Sequence, residues 1–195
     1  NKNGIAQAAK PEGGNHMKNL ADHILDIIQN SLRANANLIE IIVEENKTAD
    51  FCRIKITDNG CGMNEEMVKQ AANPFFTSRK TRKVGLGLAL LKQNAEMANG
   101  SFTLKSEVGT GTVVEAAFQL SNIDKPPLGE IWDVFYLSMV SANNVQLIYE
   151  HRTEKGIFRI TSAEIREITG EVSLQNAGMK NAITDLIKNN ITELR

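Results

Sequence analysis

The chain has 195 residues with a formal net charge of −1, and 42% of its residues are hydrophobic. This length allows one ordinary domain or a medium domain with a smaller one, and the near-neutral charge excludes binding to nucleic acid or anionic membranes through bulk charge. Cys52 and Cys61 are too few for a disulfide framework, no apolar run approaches the roughly 18 residues of a membrane span, and no leader segment is evident. We therefore expect a cytoplasmic protein. The net charge does not exclude a local basic patch.

The first predicted element follows a polar stretch. Residues 1–16 are polar and aperiodic, and we expect a disordered tail derived from cloning, with Met17 as the natural start. From Lys18 to Ala36, apolar residues recur with the period of an amphipathic helix. The opposite, polar face of this helix includes His23, Asp26, Asn30 and Arg33.

The following segments alternate between strands and helices. Strands are predicted over Leu38–Glu44, Phe51–Thr57, Ser101–Ser106 and Thr112–Gln119, and helices over Asn64–Ala72 and Leu86–Ala98. Between the two shorter helices, residues 73–87 are irregular, basic and bounded by glycine. The order favours an α+β fold, a two-layer α/β sandwich with a mixed or antiparallel sheet, over residues 17–122.

A smaller module is predicted after a Pro- and Gly-containing linker at residues 123–129. Its helices are predicted over Glu130–Ala142, Thr161–Thr169 and Asn176–Leu194, and its hairpin over Val145–Glu150 and Gly156–Ile160. Residues 130–195 would thus form a small α/β module, marginal for folding alone, which we expect to pack on the first domain or on another chain. His151 falls in the hairpin and is expected at the surface.

Three polar side chains share one face of the first helix. Asp26, Asn30 and Arg33 stand at i, i+4 and i+7, so they project together. They could form a solvated polar face. They could also form a metal-and-phosphate face, because an Asn oxygen suits Mg²⁺, a carboxylate can orient water and a guanidinium suits phosphate.

Glycines accompany two further candidate sites. Asp58-Asn59-Gly60 could be a type I′ hairpin turn, but a predicted helix follows it, so Asp58 could instead accept a hydrogen bond from a base amino group. Residues 85–88 (GLGL) open a helix, whose N-terminus can bind phosphate. The basic residues at 79–83 form either a solvated loop or a lid over polyphosphate.

In combination, four motifs in this order resemble the GHKL ATPase superfamily over about residues 17–120. That superfamily includes gyrase, heat-shock chaperone, histidine-kinase and mismatch-repair ATPase domains. The N-box matches HILDIIQNSLRANA (23–36), the G1 box DNGCGM (58–63), the F-box NPFFTSRK (73–80) and the G2 box GLGLALLKQNAEMANG (85–100). The segment SEVGTGTVVEAAF (106–118) resembles the terminal hairpin of histidine-kinase catalytic domains.

The resemblance implies the Bergerat ATP-binding fold, with ATP and Mg²⁺ as cofactors. Asn30 would be the Mg²⁺ ligand, and Asp58 would accept from the adenine amino group. The residues expected at the nucleotide are Asn30, Arg33, Asp58, Gly60, Gly62, Met63, Phe75, Lys80, Gly85, Leu86, Gly87, Leu88 and Thr112. Asp26 takes the catalytic position, where hydrolysing members carry the longer Glu, so ATP binding is better supported than fast hydrolysis.

The form of the chain is similar to that of stand-alone bacterial histidine-kinase-like ATPases and anti-sigma-factor kinases. The resemblance implies a regulatory protein that transfers the γ-phosphoryl group of ATP to a partner protein in bacterial signalling. Two alternatives stay open: a non-enzymatic ATP-dependent switch and a slow ATPase, either of which would control partner binding. Neither a nucleic acid nor a membrane is an expected partner, and a homodimer is an open arrangement.

Overall fold

A mixed six-stranded sheet forms the centre of the molecule. The computed structural model describes residues 17–71, 87–170 and 174–195. The helices are α1 (Leu20–Arg33), α2 (Glu65–Ala71), α3 (Gly87–Met97), α4 (Ile131–Ser141), α5 (Ser162–Thr169) and α6 (Ala177–Leu194). The strands are β1 (Leu38–Asn46), β2 (Phe51–Asp58), β3 (Ser101–Glu107), β4 (Gly111–Gln119), β5 (Gln146–Thr153) and β6 (Gly156–Thr161). The predicted tail at 1–16 lies outside the described residues.

The strand order is β3-β4-β2-β1-β5-β6. β1 runs antiparallel to β2 and parallel to β5. The remaining pairs, β2–β4, β3–β4 and β5–β6, are antiparallel. Alternate residues of β1 (Ile39, Ile41 and Val43) are fully buried, and this face of the sheet is covered by helices. The predicted α+β class and mixed sheet are confirmed.

Local signals explain where the helices begin and end. Asn19 caps α1, since its side chain accepts from the backbone N–H of Asp22, and the apolar face of α1 is buried. Thr161 and Glu164 form a reciprocal capping box at the start of α5, which stops at Gly170 with positive φ. These ends match the sequence predictions to within one to three residues.

The segment after residue 122 continues both layers of the fold. β5 pairs with β1 along its length, and α4 packs against α1 and α6. The backbone N–H groups of Leu20 and Ala21 donate to the carbonyl oxygens of Pro127 and Leu128, at 2.9 and 2.8 Å. The predicted linker thus supplies acceptors for the first turn of α1, whose N–H groups have no partner within the helix.

Two histidines occupy positions that differ from the prediction. His151 was expected at the surface, but it is fully buried, because β5 is an internal strand and its odd-numbered side chains face the helices. His23 was assigned to the polar face of α1, but α3 covers it and it is 1% exposed. In both cases an element distant in sequence covers the ring.

Candidate functional site

A cavity of about 320 Å³ lies between α1, the end of β2 and the start of β4. Its walls are mainly apolar, and its polar groups are concentrated at α1 and at the end of β2. The lining residues are Ile27, Asn30, Ser31, Arg33, Ala34, Asp58, Cys61, Gly62, Met63, Met67, Leu88, Thr112 and Val114. Such a concave, largely apolar site with a few polar groups is typical of a small-molecule pocket.

Asp58 is the carboxylate of this cavity. It is the last residue of β2 and only 8% exposed. Its Oδ2 accepts a hydrogen bond from Ser31 Oγ at 2.6 Å, and its Oδ1 accepts from the backbone N–H of Gly60 at 2.9 Å. Each oxygen keeps a second lone pair, so an ionised Asp58 can accept a hydrogen bond from a ligand.

Two glycines allow close backbone contact beside Asp58. Gly62 has φ +67°, and a Cβ built there would lie 1.9 Å from the carbonyl oxygen of Glu107. Gly111 has φ +125°, and its Cβ would lie 2.0 Å from the carbonyl oxygen of Asp58. Any side chain at either position would strike backbone and strain φ, so the loop after β2 requires glycine to pack on the β3–β4 turn.

Ser106 connects Met63 with Gly111 and Thr112 through hydrogen bonds. Its Oγ accepts from the backbone N–H of Met63 at 2.9 Å and donates to the carbonyl oxygen of Gly111 at 2.8 Å. Because its single proton is then used, the hydroxyl of Thr112, 2.8 Å away, donates to Ser106. The oxygen of Thr112 is left as an acceptor beside the cavity.

A second polar cluster contains Asp26 and Asn30 and lies at the start of α3. Asn30 Nδ2 donates to Asp26 Oδ2 at 3.3 Å. A Cβ built on Gly87, the first residue of α3, would lie 2.0 Å from that same carboxylate oxygen. The α1 pair therefore lies directly against the N-terminal end of α3, where backbone N–H groups favour anions.

These residues fit a nucleotide with a bound divalent cation. The apolar walls suit a flat base, and Asp58 presents an acceptor to an amino group on its edge. Arg33 and the N-terminus of α3 suit phosphates. The amide nitrogen of Asn30 is engaged with Asp26, which leaves Oδ1, an oxygen of the kind that Mg²⁺ prefers.

The structure brings together most of the predicted site residues. Asn30, Arg33, Asp58, Gly62, Met63, Leu88 and Thr112 line the cavity, Gly60 supports Asp58, and Asp26 and Gly87 meet beside Asn30. The predicted residues Phe75, Lys80, Gly85 and Leu86 lie outside the described residues. Their placement at a nucleotide stays a prediction.

The contacts made by Ser31, Ser106 and Asn94 were not predicted from the sequence. Ser31 lies on the buried face of α1, in line with Ile24 and Ile27, and a hydroxyl on an apolar face is a signal that could have found it. Ser106 had no such signal, because its role depends on the turn that brings Met63 to β3. Asn94 also had none, although it contacts His23 across two helices.

Comparisons with curated proteins match part of the chain to bacterial sensor proteins. A putative sensor protein from Shewanella frigidimarina is 33% identical over 103 residues, which is 52% of this chain and 16% of that protein. The sensor histidine kinase YvrG of Bacillus subtilis is 31% identical over 98 residues, 48% of this chain and 17% of that protein. The matched region is thus a minor part of each relative.

Among solved structures, the N-terminal domain of a DNA repair protein superimposes with a TM-score of 0.51 at 18% identity. The match covers 74% of this chain and 52% of that one, and it shows a shared fold. Within the described residues, no helix is long and apolar enough to cross a membrane.

A family model matches residues 16–122, more than half of the chain. It describes ATPase domains, so the match assigns nucleotide binding to the region that contains the cavity. The chain therefore belongs to the family of histidine kinase-, DNA gyrase B- and HSP90-like ATPases.

Proposed function

We propose that this protein binds Mg·ATP in the described cavity and transfers the γ-phosphoryl group to a partner protein. One observation carries the proposal: Asn30 lines the same cavity as Asp58, and the Asp26–Asn30 pair lies against the first residue of α3. We assign the base to the side of Asp58 and the phosphates to the side of Asn30. Sensor kinases among the relatives favour transfer to a protein.

In this proposal, one set of residues binds the base and another set acts at the phosphates. Asp58 accepts from the amino group of the base, and Thr112 adds an acceptor beside it. Asn30 would hold Mg²⁺ through Oδ1, and the bound ion would supply neutralisation of the phosphate charge. Asp26 Oδ2 is engaged by Asn30, so Oδ1 orients the attacking group of the partner protein and receives its proton, while ADP departs as the leaving group.

The test is incubation with γ-labelled ATP and Mg²⁺, with and without cell extract. We expect label on a second protein, and a loss of at least about 100-fold in Asn30→Ala, because positioning and charge neutralisation carry most of phosphoryl transfer. Asn189→Ala is the matched control, since this Asn is exposed on α6 and should change nothing. Transfer that survives Asn30→Ala, or label found only in water, would contradict the proposal.

An ATP-dependent switch with little turnover is the second candidate. The observation that favours it is Asp26 itself, a short carboxylate already hydrogen-bonded to Asn30. Asp26→Asn separates the two candidates. A switch keeps ATP-dependent partner binding in this variant, whereas a phosphotransfer protein loses its output even though ATP still binds.

A further inference from the structure

The hydroxyl of Ser31 holds the carboxylate of Asp58 from the helical side of the cavity. The two side chains are 2.6 Å apart, Oγ to Oδ2, and Ser31 is only 2% exposed. Gly60 holds the other oxygen from the loop side. The carboxylate plane is therefore fixed from two directions, by α1 and by the loop after β2.

The protons available at Ser31 and Asp58 decide which ligand edge can bind at this end of the cavity. Ser31 has one proton, and it is donated to Asp58, so the Ser31 oxygen faces its surroundings as an acceptor. Asp58, when ionised, is also an acceptor only. A ligand edge placed here must donate hydrogen bonds, and an edge with a carbonyl oxygen meets two acceptors without a proton between them.

We propose that Ser31 is a positioning residue that sets base selectivity, by fixing Asp58 so that it accepts from a 6-amino group and rejects a 6-oxo group. This rests on the proposed function, since it assumes that the cavity takes the base of ATP. Without the hydroxyl, Gly60 is the only described residue that still donates to the carboxylate, which can then rotate away from the amino group. Buried charged acceptors that lose a donor are also destabilised.

The experiment measures nucleotide affinity by calorimetry for wild type, Ser31→Ala and a control. The ligands are ATP, inosine triphosphate with a 6-oxo group, and purine riboside triphosphate with hydrogen at position 6. We expect Ser31→Ala to bind ATP about tenfold more weakly, as for a hydrogen bond to a charged group. Its affinity for purine riboside triphosphate should change by less than about twofold. The preference of the variant for ATP over purine riboside triphosphate is therefore expected to fall.

Ser138→Ala is the matched control. Ser138 is buried in α4, and its hydroxyl has no hydrogen-bond partner among the described residues, so its loss should leave all three affinities unchanged. Ser31→Thr keeps the hydroxyl and should restore selectivity. If Ser31→Ala does not fold, Ser31→Cys, with its weak thiol donor, is expected to show the same loss of selectivity.

Equal weakening of ATP and purine riboside triphosphate would show a merely structural role and overturn the inference. Unchanged selectivity in Ser31→Ala or Ser31→Cys would overturn it as well. Asp58→Asn distinguishes this failure from failure of the proposed function. If Asp58→Asn loses ATP binding while Ser31→Ala keeps it, only the role assigned to Ser31 is wrong. If the wild-type protein binds no nucleotide, the proposed function itself is wrong.

Discussion

His23 joins α1 and α3, the two helices that meet at the proposed phosphate-binding side of the cavity. Its ring lies in α1, one turn before Asp26, and Nε2 is 3.0 Å from Asn94 Nδ2 on α3. Burial lowers the pKa of His23, and the backbone of Gly87 and the charges of Asp22 and Asp26 oppose this only in part. The ring is therefore neutral at pH 7 and accepts the hydrogen bond from Asn94.

We predict that His23 makes stability fall as pH drops below about 7. The folded-state pKa is lowered, so the unfolded chain binds the proton more readily. The stability contribution is present above the ordinary pKa near 6.5 and is lost as pH falls through that value and below. Urea unfolding at pH 7.5, 6.5 and 5.5 should show this decline, and His23→Gln should reduce it. Equal pH slopes in the two proteins would count against this assignment.

At the scale of elements, the last turn of α6 is tied to the sheet through Glu45. Arg195 contacts both carboxylate oxygens, with Nε 2.7 Å from Oε2 and Nη2 3.0 Å from Oε1, while His151 Nε2 lies 3.2 Å from Oε2. Burial tends to raise the pKa of Glu45, but the hydrogen bond of His151 and the charge of Arg195 outweigh it. The net pKa is lowered, so the carboxylate is charged in the folded state.

We predict that Glu45→Gln weakens the attachment of α6. One partner of a buried charged group is lost, which costs about 1–3 kcal/mol or several degrees in Tm at pH 7. A lowered pKa stabilises above the ordinary carboxyl pKa and ceases to do so as pH falls through the folded value, so the difference from wild type should shrink at acidic pH. Thermal unfolding at pH 7 and pH 4 measures both effects.

Glu193→Gln is the control for this experiment, because Glu193 is exposed on the same turn of α6. It should leave Tm unchanged. A loss in Glu45→Gln no larger than in this control would show that the Glu45 contacts contribute little to holding α6.

At the scale of the whole molecule, the region matched by the family model and the rest of the chain share one sheet and one helical layer. β1 needs β5 at its edge, and the apolar face of α1 is buried partly by α4. Pro127 and Leu128 also accept from the first turn of α1. We therefore propose that residues 17–195 fold as one cooperative unit.

We predict that a fragment of residues 17–122 does not fold cooperatively. It would expose the edge of β1 and the buried face of α1, both of which favour aggregation. Urea unfolding followed by circular dichroism should give one sharp transition for residues 17–195 and none for the fragment. A fragment that unfolds cooperatively with a similar midpoint would show two independent units instead.

Element types could be predicted from the sequence because they depend on local periodicity. Helix α1 was expected over Lys18–Ala36 and is Leu20–Arg33. Two other helices were predicted to begin at Asn64 and Thr161, and these side chains accept hydrogen bonds from the backbone three residues later. Strand pairing could not be predicted, since the parallel contact between β1 and β5 depends on the whole chain. That contact is also why His151 is buried rather than exposed.

The candidate site shows the same division. Asn30 and Asp58 could be predicted from motifs, because their chemistry is carried by short patterns next to a helix and a strand. Ser31 and Asn94 could not, because their partners, Asp58 and His23, are brought to them by tertiary packing. Candidate binding groups can thus be proposed from sequence, whereas the groups that contact and orient them require the structure.

The pairing of β1 with β5 also has a consequence for folding kinetics. Leu38 faces Gln146, so the centre of the sheet closes only after most of the chain has been synthesised. Contacts between such distant segments slow folding, and an open strand edge can pair with other chains in the meantime. Until β5 arrives, β1 is the strand through which newly made chains are most exposed to misassembly, and chaperone demand should be greatest in that interval.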